Sequence, residues 1–204
     1  MEGGRAGAAS PEADGPTGVG ASLGRREDGR YLAGKGRYVG DIRRPGMLEM
    51  AFVRSPLAHA RVRRVARPEG AEGRAFVAAD LDGVSGIRAD SKLPGFRSSV
   101  QPVLAFDKVR HVGELLAACL GRTRAEAEDL AERVEVDLEE LTAVHEMTRA
   151  RDPDAPLIHE QWEENSFLST AVDSGFDEAV RDAAVVVKRT YRTARQCMAP
   201  IEGR

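Results

Sequence analysis

Four histidines and two cysteines are the residues of this sequence best suited to metal binding or nucleophilic catalysis. They are His59, His111, His145 and His159, together with Cys119 and Cys197. None of them has H-x-x-x-H or Cys-x-x-Cys spacing, so we predict surface or turn histidines rather than zinc ligands. Cys119 lies inside an apolar run and is predicted to be buried, and Cys197 has no accompanying histidine to act as a base. The sequence therefore predicts no catalytic residue and no metal ligand.

Other polar motifs have simple structural interpretations. The segment Gly34–Gly36 has a lysine between two glycines but lacks the spacing of a phosphate-binding loop, so we predict a turn before a strand. In the pairs Glu139–Glu140 and Glu163–Glu164, neighbouring side chains point apart, which predicts solvated faces rather than catalytic pairs. The single tryptophan, Trp162, is predicted to pack near a linker instead of binding a ligand.

The composition excludes several classes of protein. The 204 residues are 42% hydrophobic and 31% charged, which is typical of a globular protein. A net charge of -3 gives no electrostatic footprint for nucleic acid, and two cysteines exclude a disulfide scaffold. The longest apolar runs, Leu115–Leu120 and Ala183–Val187, are far shorter than the roughly 20 residues of a membrane helix. We therefore expect a cytoplasmic protein with no transmembrane segment and no nucleic-acid partner.

The first half of the chain contains strand signals separated by turn residues. Met47–Val53 follows a Pro-Gly turn and reads as a strand, and Ala60–Val65 is predicted to be its half-exposed partner. Arg74–Ala79 is a third short apolar run. Gly, Ser, Asp and Pro dominate Ser85–Gln101, which predicts a loop.

The clearest unit of secondary structure runs from Val109 to Val144. A buried strand, Leu115–Leu120, is followed by a helix in which Thr123 and Glu126 have the spacing of a capping box. A second strand is predicted to begin near Val134. Strand, helix and strand within about thirty residues form a βαβ-like pattern, so the fold class predicted here is α+β.

The remaining segments are shorter. Leu141–Val144 reads as a further strand, Arg151–Pro156 as a linker, and Asp177–Ala183 as a short helix. Val185–Arg195 alternates apolar and charged residues over its whole length, which predicts a long strand. The first twenty residues are rich in Gly and Ala and contain no aromatic residue, which predicts a flexible tail.

Several blocks of sequence, in order, resemble one family. The segment Gly24–Ile42 is similar to the opening of the large subunits of molybdenum hydroxylases, which include xanthine dehydrogenase, aldehyde oxidase and aerobic carbon monoxide dehydrogenase. The resemblance continues through six further blocks: Pro45–Leu48, Ala51–Arg61, Leu104–Glu114, Ala125–Val136, Ala155–Glu160 and Arg195–Arg204.

The resemblance implies an α/β-hammerhead domain followed by the first elements of a molybdopterin-binding domain. The implied divisions are a disordered tail over 1–22, the hammerhead domain over 23–146, a linker over 147–156 and a truncated start of the molybdopterin-binding domain over 157–204. In this family the glycine-rich cofactor segments and the glutamate base lie downstream of the block that ends at Arg204. The resemblance therefore assigns no catalytic residue to this chain and leaves its cofactor-binding residues unknown.

The function implied is that of a structural piece of a molybdenum-dependent oxidoreductase. Such enzymes hydroxylate an aldehyde, N-heterocycle or purine, or oxidise carbon monoxide, with water as oxygen donor. The complete enzyme would carry molybdopterin, as the cytosine dinucleotide, and would assemble with FAD-containing and iron–sulfur subunits. No cofactor is expected on this chain alone. Two alternatives remain: a stand-alone scaffold subunit complementing a separately encoded remainder, and a non-functional truncated product.

Overall fold

The computed structural model of the chain describes residues 18–20, 24–172, 174–194 and 196. Residues 45–191 form one compact unit, and the described residues outside it belong to a second. Cys197 and most of the block Arg195–Arg204 lie outside the described residues. The predicted tail, 1–22, does so as well, except for residues 18–20.

The described part of the smaller unit contains one short helix, α1 (Asp28–Leu32), and a 3-10 turn at Val39–Asp41. Gly34 ends α1 with a φ of +65°, a conformation that favours glycine. The turn predicted at Gly34–Gly36 is therefore confirmed, but the strand predicted after it is wrong. The chain instead folds back, so that the rings of Tyr31 and Tyr38 stack with centroids 6.1 Å apart.

The larger unit contains eight strands and two helices among its described residues. The strands are β1 (Glu49–Arg54), β2 (Ala60–Ala66), β3 (Ala75–Val77), β4 (Ile87–Arg88), β5 (Val100–Gln101), β6 (Lys108–Val109), β7 (Leu115–Gly121) and β8 (Glu135–Glu140). The helices are α2 (Arg124–Glu132) and α3 (Phe176–Asp182). The predicted strands in the first half and the helix near Asp177 are thus confirmed. The predicted loop Ser85–Gln101 is irregular except for the two-residue strands β4 and β5, which pair with each other.

The strands form two three-stranded antiparallel sheets, in the orders β1-β7-β3 and β6-β2-β8. The prediction that β2 would pair with β1 is therefore wrong. After β1, the amide of Ser55 donates to the carbonyl of Glu114 (2.9 Å), and the amide of Gly113 donates to the carbonyl of Ser55 (2.8 Å). These bonds extend the pairing of β1 with β7 by one residue. The chain then leaves this sheet and enters β2, which belongs to the other sheet.

One of the two hydrogen bonds of the capping box predicted for α2 is present, and the other has a different partner. The Thr123 hydroxyl accepts a hydrogen bond from the Glu126 amide at 3.2 Å. The Glu126 carboxylate, however, accepts from the amide of Arg122 at 2.8 Å, instead of from the amide of Thr123. The helix ends at Glu132, and β8 begins at Glu135.

The βαβ-like interpretation of this region is wrong, because β7 and β8 belong to different sheets. Helix α2 lies against β7 and β1. Strand β8 runs antiparallel to β2, with Ala60 opposite Glu140 and Ala66 opposite Glu135. The local order of strand, helix and strand is correct, but the helix connects two sheets instead of crossing over one.

Small apolar residues form the core where the sheets meet. One buried cluster lies between the first sheet and α2 and comprises Ala71, Ala75, Val77, Ala117, Cys119, Leu130 and Val134. A second comprises Ala60, Ala105, Val109 and Leu116. Val53, Val65 and Val136 pack against both clusters, so the two form a continuous apolar interior. Two antiparallel sheets with a single helix packed on one of them give the α+β fold that was predicted.

Two predicted strands are absent from the described residues. Leu141–Val144 is irregular, because the Leu141 amide pairs with the carbonyl of His59 (2.9 Å), after which the chain turns away from β2. Residues 185–194 form no strand either, and Val185, Val187 and Tyr191 are more than two thirds exposed. Alternation makes a segment fit for a sheet, but a strand also needs a neighbouring edge to pair with.

Among the described residues, no helix is both long and apolar enough to cross a membrane.

Candidate functional site

Cys119 lies in the centre of the first core cluster, with no exposed surface. It sits on the central strand β7, opposite Ala51 of β1 and Ala75 of β3. Burial raises the pKa of its thiol, so the thiolate needed for nucleophilic attack is disfavoured. The predicted burial of Cys119 is confirmed, and its inertness stays a prediction.

The histidines are not grouped into a metal site in the part of the chain that the structure describes, where no cluster of three or more metal-ligating residues occurs. His111 and His145 are exposed, as predicted. His59, predicted to be a surface or turn residue, lies in a bend between β1 and β2 and is only 4% exposed. Its Nδ1 lies 2.7 Å from the carbonyl oxygen of Thr142, because the segment after β8 covers it.

A group of charged side chains gathers at β6 and the turn that follows it. Lys108 is 7% exposed, and its Nζ donates to the carbonyl of Leu157 (3.2 Å) and to the carboxylate of Glu160. Desolvation is the largest effect and raises the pKa of Glu160, but the Lys108 hydrogen bond, a backbone hydrogen bond and the charges of Lys108 and Arg110 together outweigh it, and the net pKa is lowered. A buried lysine is rare unless it is paired, so this contact ties residues 157–160 to the sheet.

The turn after β6 is held by a second buried charge, Glu114, which is 4% exposed. Its carboxylate accepts a hydrogen bond from the backbone amide of Arg110 at 2.5 Å and lies 3.6 Å from His111 Nδ1. The guanidinium of Arg110 in turn donates to the carbonyl of Lys108 and to Asp107. Arg110, His111, Glu114 and His159 all line one small cavity of about 190 Å³.

His159 is the other histidine that lines this cavity. Its ring packs on Trp162, with centroids 4.3 Å apart, which fits the predicted packing role of the tryptophan. Burial, followed by the charges of Arg110 and Lys108, lowers the pKa of His159. The sequence carried no signal for this cluster, because Lys108 and Glu160 are 52 residues apart and each is unremarkable in its own segment.

The paired glutamates face solvent in part, as predicted, and each pair has an arginine partner. Glu139 on β8 lies 2.6 Å from Arg63 and 3.4 Å from Arg61 on β2. Glu164 lies 2.8 Å from Arg151. These are largely exposed ion pairs, which typically stabilise a fold by less than about 1 kcal/mol.

A groove of about 700 Å³ does not fit a phosphate-bearing pterin cofactor. It lies between the loop after β3 and the segment from β5 to Arg110, and most of its lining is apolar. Its charged lining residues are Asp82, Asp107 and Arg110. Two carboxylates repel phosphate, and the one guanidinium is already bonded to Asp107. The lining of this groove therefore does not fit that cofactor.

The chain matches a family described as aldehyde oxidase and xanthine dehydrogenase, a/b hammerhead domain, over residues 33–142. It is 33% identical to the nicotine 6-hydroxylase large subunit of Paenarthrobacter nicotinovorans, with 91% of this chain and 23% of that protein covered. Quinoline 2-oxidoreductase from Pseudomonas putida 86 matches with a TM-score of 0.73 and 35% identity, over 82% of this chain and 22% of that one. The Cu,Mo carbon monoxide dehydrogenase matches with a TM-score of 0.65 and 31% identity, over 81% of this chain and 23% of that one.

The chain therefore belongs to the aldehyde oxidase and xanthine dehydrogenase family of molybdenum hydroxylases, which are oxidoreductases. Its α+β fold is the hammerhead fold of that family. The chain spans less than a quarter of the length of each of the relatives described above.

Proposed function

We propose that this chain is a structural module of the molybdopterin-binding large subunit of a molybdenum-dependent oxidoreductase. The observation that carries this proposal is the hammerhead fold itself, which the chain shares with quinoline 2-oxidoreductase over 82% of its own length but only 22% of that enzyme's. In this proposal residues 23–146 are the hammerhead domain, 147–156 are a linker, and 157–204 begin the molybdopterin-binding domain.

The complete enzyme would hydroxylate an aldehyde, N-heterocycle or purine, or oxidise carbon monoxide, with water as the oxygen donor. Its cofactor would be molybdopterin, in the cytosine dinucleotide form, held by residues outside those described here. FAD-containing and iron–sulfur subunits would accept the electrons, and the assembly would work in the cytoplasm. The role of this chain is to shape the large subunit, and the chain alone would be catalytically inactive.

One structural feature supports a packing role. Met50 and Phe52 of β1 are 53% and 40% exposed, on the face of the first sheet opposite α2. Leu120 and Ala118 of β7 lie beside them in the same register, which makes this face apolar. Apolar sheet faces are usually covered by another layer of protein.

The test is a comparison of the isolated chain with the assembled enzyme. We expect the purified 204-residue chain to contain no molybdenum by elemental analysis and to reduce no artificial electron acceptor with aldehydes, N-heterocycles, purines or carbon monoxide. Co-expression with the remaining large-subunit sequence and the two partner subunits should yield a complex that contains molybdenum. Substrate oxidation by the isolated chain would overturn the proposal.

An antibody against the hammerhead residues distinguishes the proposed module from the two alternatives, a scaffold subunit and a truncated product. A native polypeptide about four times longer than 204 residues would agree with a module of a large subunit. A native polypeptide of 204 residues that co-purifies with a separate large-subunit remainder would instead show a stand-alone scaffold subunit. A short polypeptide that is degraded and binds none of these partners would show a truncated product.

A further inference from the structure

Residues 157–167, here called the strap, return from the turns after β8 to contact β6 and the loop before β5. At one end, Lys108 donates to the Leu157 carbonyl and the Glu160 carboxylate. At the other end, the Arg97 amide donates to the Phe167 carbonyl at 2.7 Å, and the ring of Phe96 packs edge-on against Phe167. The strap is therefore attached to the hammerhead at both ends.

Asn165 fixes the shape of the strap between these two attachments. Its side-chain oxygen accepts from the Ile158 amide at 2.9 Å, and its side-chain nitrogen donates to the carbonyls of Pro156 (2.9 Å) and Ala150 (3.1 Å). One side chain thus closes the strap into a loop, so the strap can dock or separate as a unit. No residue of this loop takes part in either sheet.

Lys108 makes docking of the strap sensitive to charge. Its side chain is 8% exposed, and among the bonds described for its ammonium group all the partners belong to the strap. Separation of the strap would leave this cation without its carboxylate, and docking brings a partly desolvated charge pair together. Any further positive charge placed beside Lys108 by the strap opposes docking.

His159 is the strap residue able to supply that charge near neutral pH. It lines one cavity with Arg110, which follows β6, and Glu114, which precedes β7. Burial and then the charges of Arg110 and Lys108 lower its pKa, and those of Glu160 and Glu114 oppose this. His111 lines the same cavity. The ring of His159 packs on the ring of Trp162, so a movement of His159 changes a contact within the strap.

We propose that the strap is a pH-responsive docking element, which lies on the hammerhead while His159 is neutral and separates from it when His159 is protonated. Docking fixes the position at which residues 168 onward leave the hammerhead. Separation frees that segment without unfolding the two sheets, whose pairing involves no strap residue. The proposal does not depend on the proposed enzymatic function, because it concerns contacts within residues 96–167 only.

The sign of the effect follows from the lowered pKa of His159 in the docked state, caused first by burial and then by Arg110 and Lys108. A released histidine has a pKa of about 6.5, so protons bind the released form more tightly. The docking equilibrium constant is therefore at its maximum above about pH 6.5 and decreases as the pH falls from there toward the docked pKa, by up to about tenfold per pH unit. Glu160, whose pKa is lowered by the Lys108 hydrogen bond after opposition from burial, stays ionised in this range.

Trp162 is the single tryptophan of the sequence and reports on the strap directly. We expect the acrylamide quenching constant of the wild-type chain to rise severalfold between about pH 7.5 and pH 5.5. Because protonated imidazole can itself quench tryptophan, a second measurement is needed. A glutamate-specific protease should cleave after Glu160 and Glu163 faster at the lower pH, relative to cleavage after the exposed turn residue Glu69.

Three variants complete the experiment. His159→Gln should lose the pH dependence of both measurements, whereas His145→Gln, which changes an exposed histidine outside the strap, should retain it. Lys108→Met should show an accessible strap at both pH values. If Lys108→Met does not fold, the comparison of His159→Gln with the wild type still decides the matter. Equal strap cleavage at both pH values in the wild type, or an unchanged pH response in His159→Gln, would overturn the proposal.

Discussion

The guanidinium of Arg67 donates a hydrogen bond to the carboxylate of Asp80 at 3.0 Å, and its other terminal nitrogen lies 2.9 Å from the second carboxylate oxygen. The same carboxylate accepts the amide of Val77 at 2.8 Å. Arg67 follows β2 of the second sheet, and Asp80 closes the 3-10 turn after β3 of the first. This ion pair therefore connects the end of β2, in the second sheet, to the turn after β3, in the first sheet.

We predict that Asp80→Asn lowers the free energy of unfolding by about 2 kcal/mol near neutral pH, because it removes a charge-assisted pair. The Val77 hydrogen bond, and after it the contacts with Arg67, keep the pKa of Asp80 below its usual value despite partial burial. The stabilisation is therefore present above about pH 4 and is lost as the pH falls through the folded pKa. Urea unfolding at several pH values measures this difference.

Asp82→Asn is the matched control, since Asp82 is exposed and lies two residues away. It should change the unfolding free energy by less than about 0.5 kcal/mol. A deficit in Asp80→Asn that stays constant down to about pH 3 would contradict the pH dependence derived from the Arg67 pair.

Gly121, the last residue of β7, lies so close to the backbone at the start of α2 that it leaves no room for a side chain. A Cβ atom at this position would lie 2.5 Å from the Ala127 nitrogen and 2.8 Å from the Thr123 carbonyl oxygen, both of which are backbone atoms. Backbone cannot give way as a flexible side chain can, so we predict that Gly121→Ala costs about 1–3 kcal/mol of unfolding free energy.

The control for this substitution is Gly40→Ala, where a Cβ would meet nothing within 4 Å. The midpoint of its urea unfolding curve should equal that of the wild type. Equal midpoints for Gly121→Ala and the wild type would show that the β7–α2 turn is looser than these distances imply.

Features set by neighbouring residues could be predicted from the sequence. The Thr123 cap depends on an amide three residues away, and the strand character of β1, β2 and β7 follows from side-chain types along each segment. The burial of Cys119 followed from its apolar neighbours. These predictions required no knowledge of which segments meet in three dimensions.

The errors concern long-range pairing. Strand β1 could pair with β2 or with β7 on periodicity alone, and the bonds of Ser55 to residues 113 and 114 select β7. The contact between Lys108 and Glu160 likewise joins residues 52 positions apart, and neither residue type predicts the other. The alternation over 185–194 was real, but strand formation depends on a pairing edge that the segment itself does not supply.

Cys119 provides a direct measure of how tightly the first core cluster is closed. Its side chain has no exposed surface, and burial raises the pKa of its thiol, so both access and ionisation oppose reaction with a disulfide reagent. In a Cys197→Ser background we predict that Cys119 is modified at least about a hundredfold more slowly in the native chain than in urea, since the reaction requires local opening. A matched chain carrying Cys119→Ser, Cys197→Ser and Thr190→Cys, with its thiol at an exposed position, should react at nearly the same rate in both conditions. Modification of native Cys119 at the rate of that exposed thiol would show that the sheet and α2 do not hold the cluster closed.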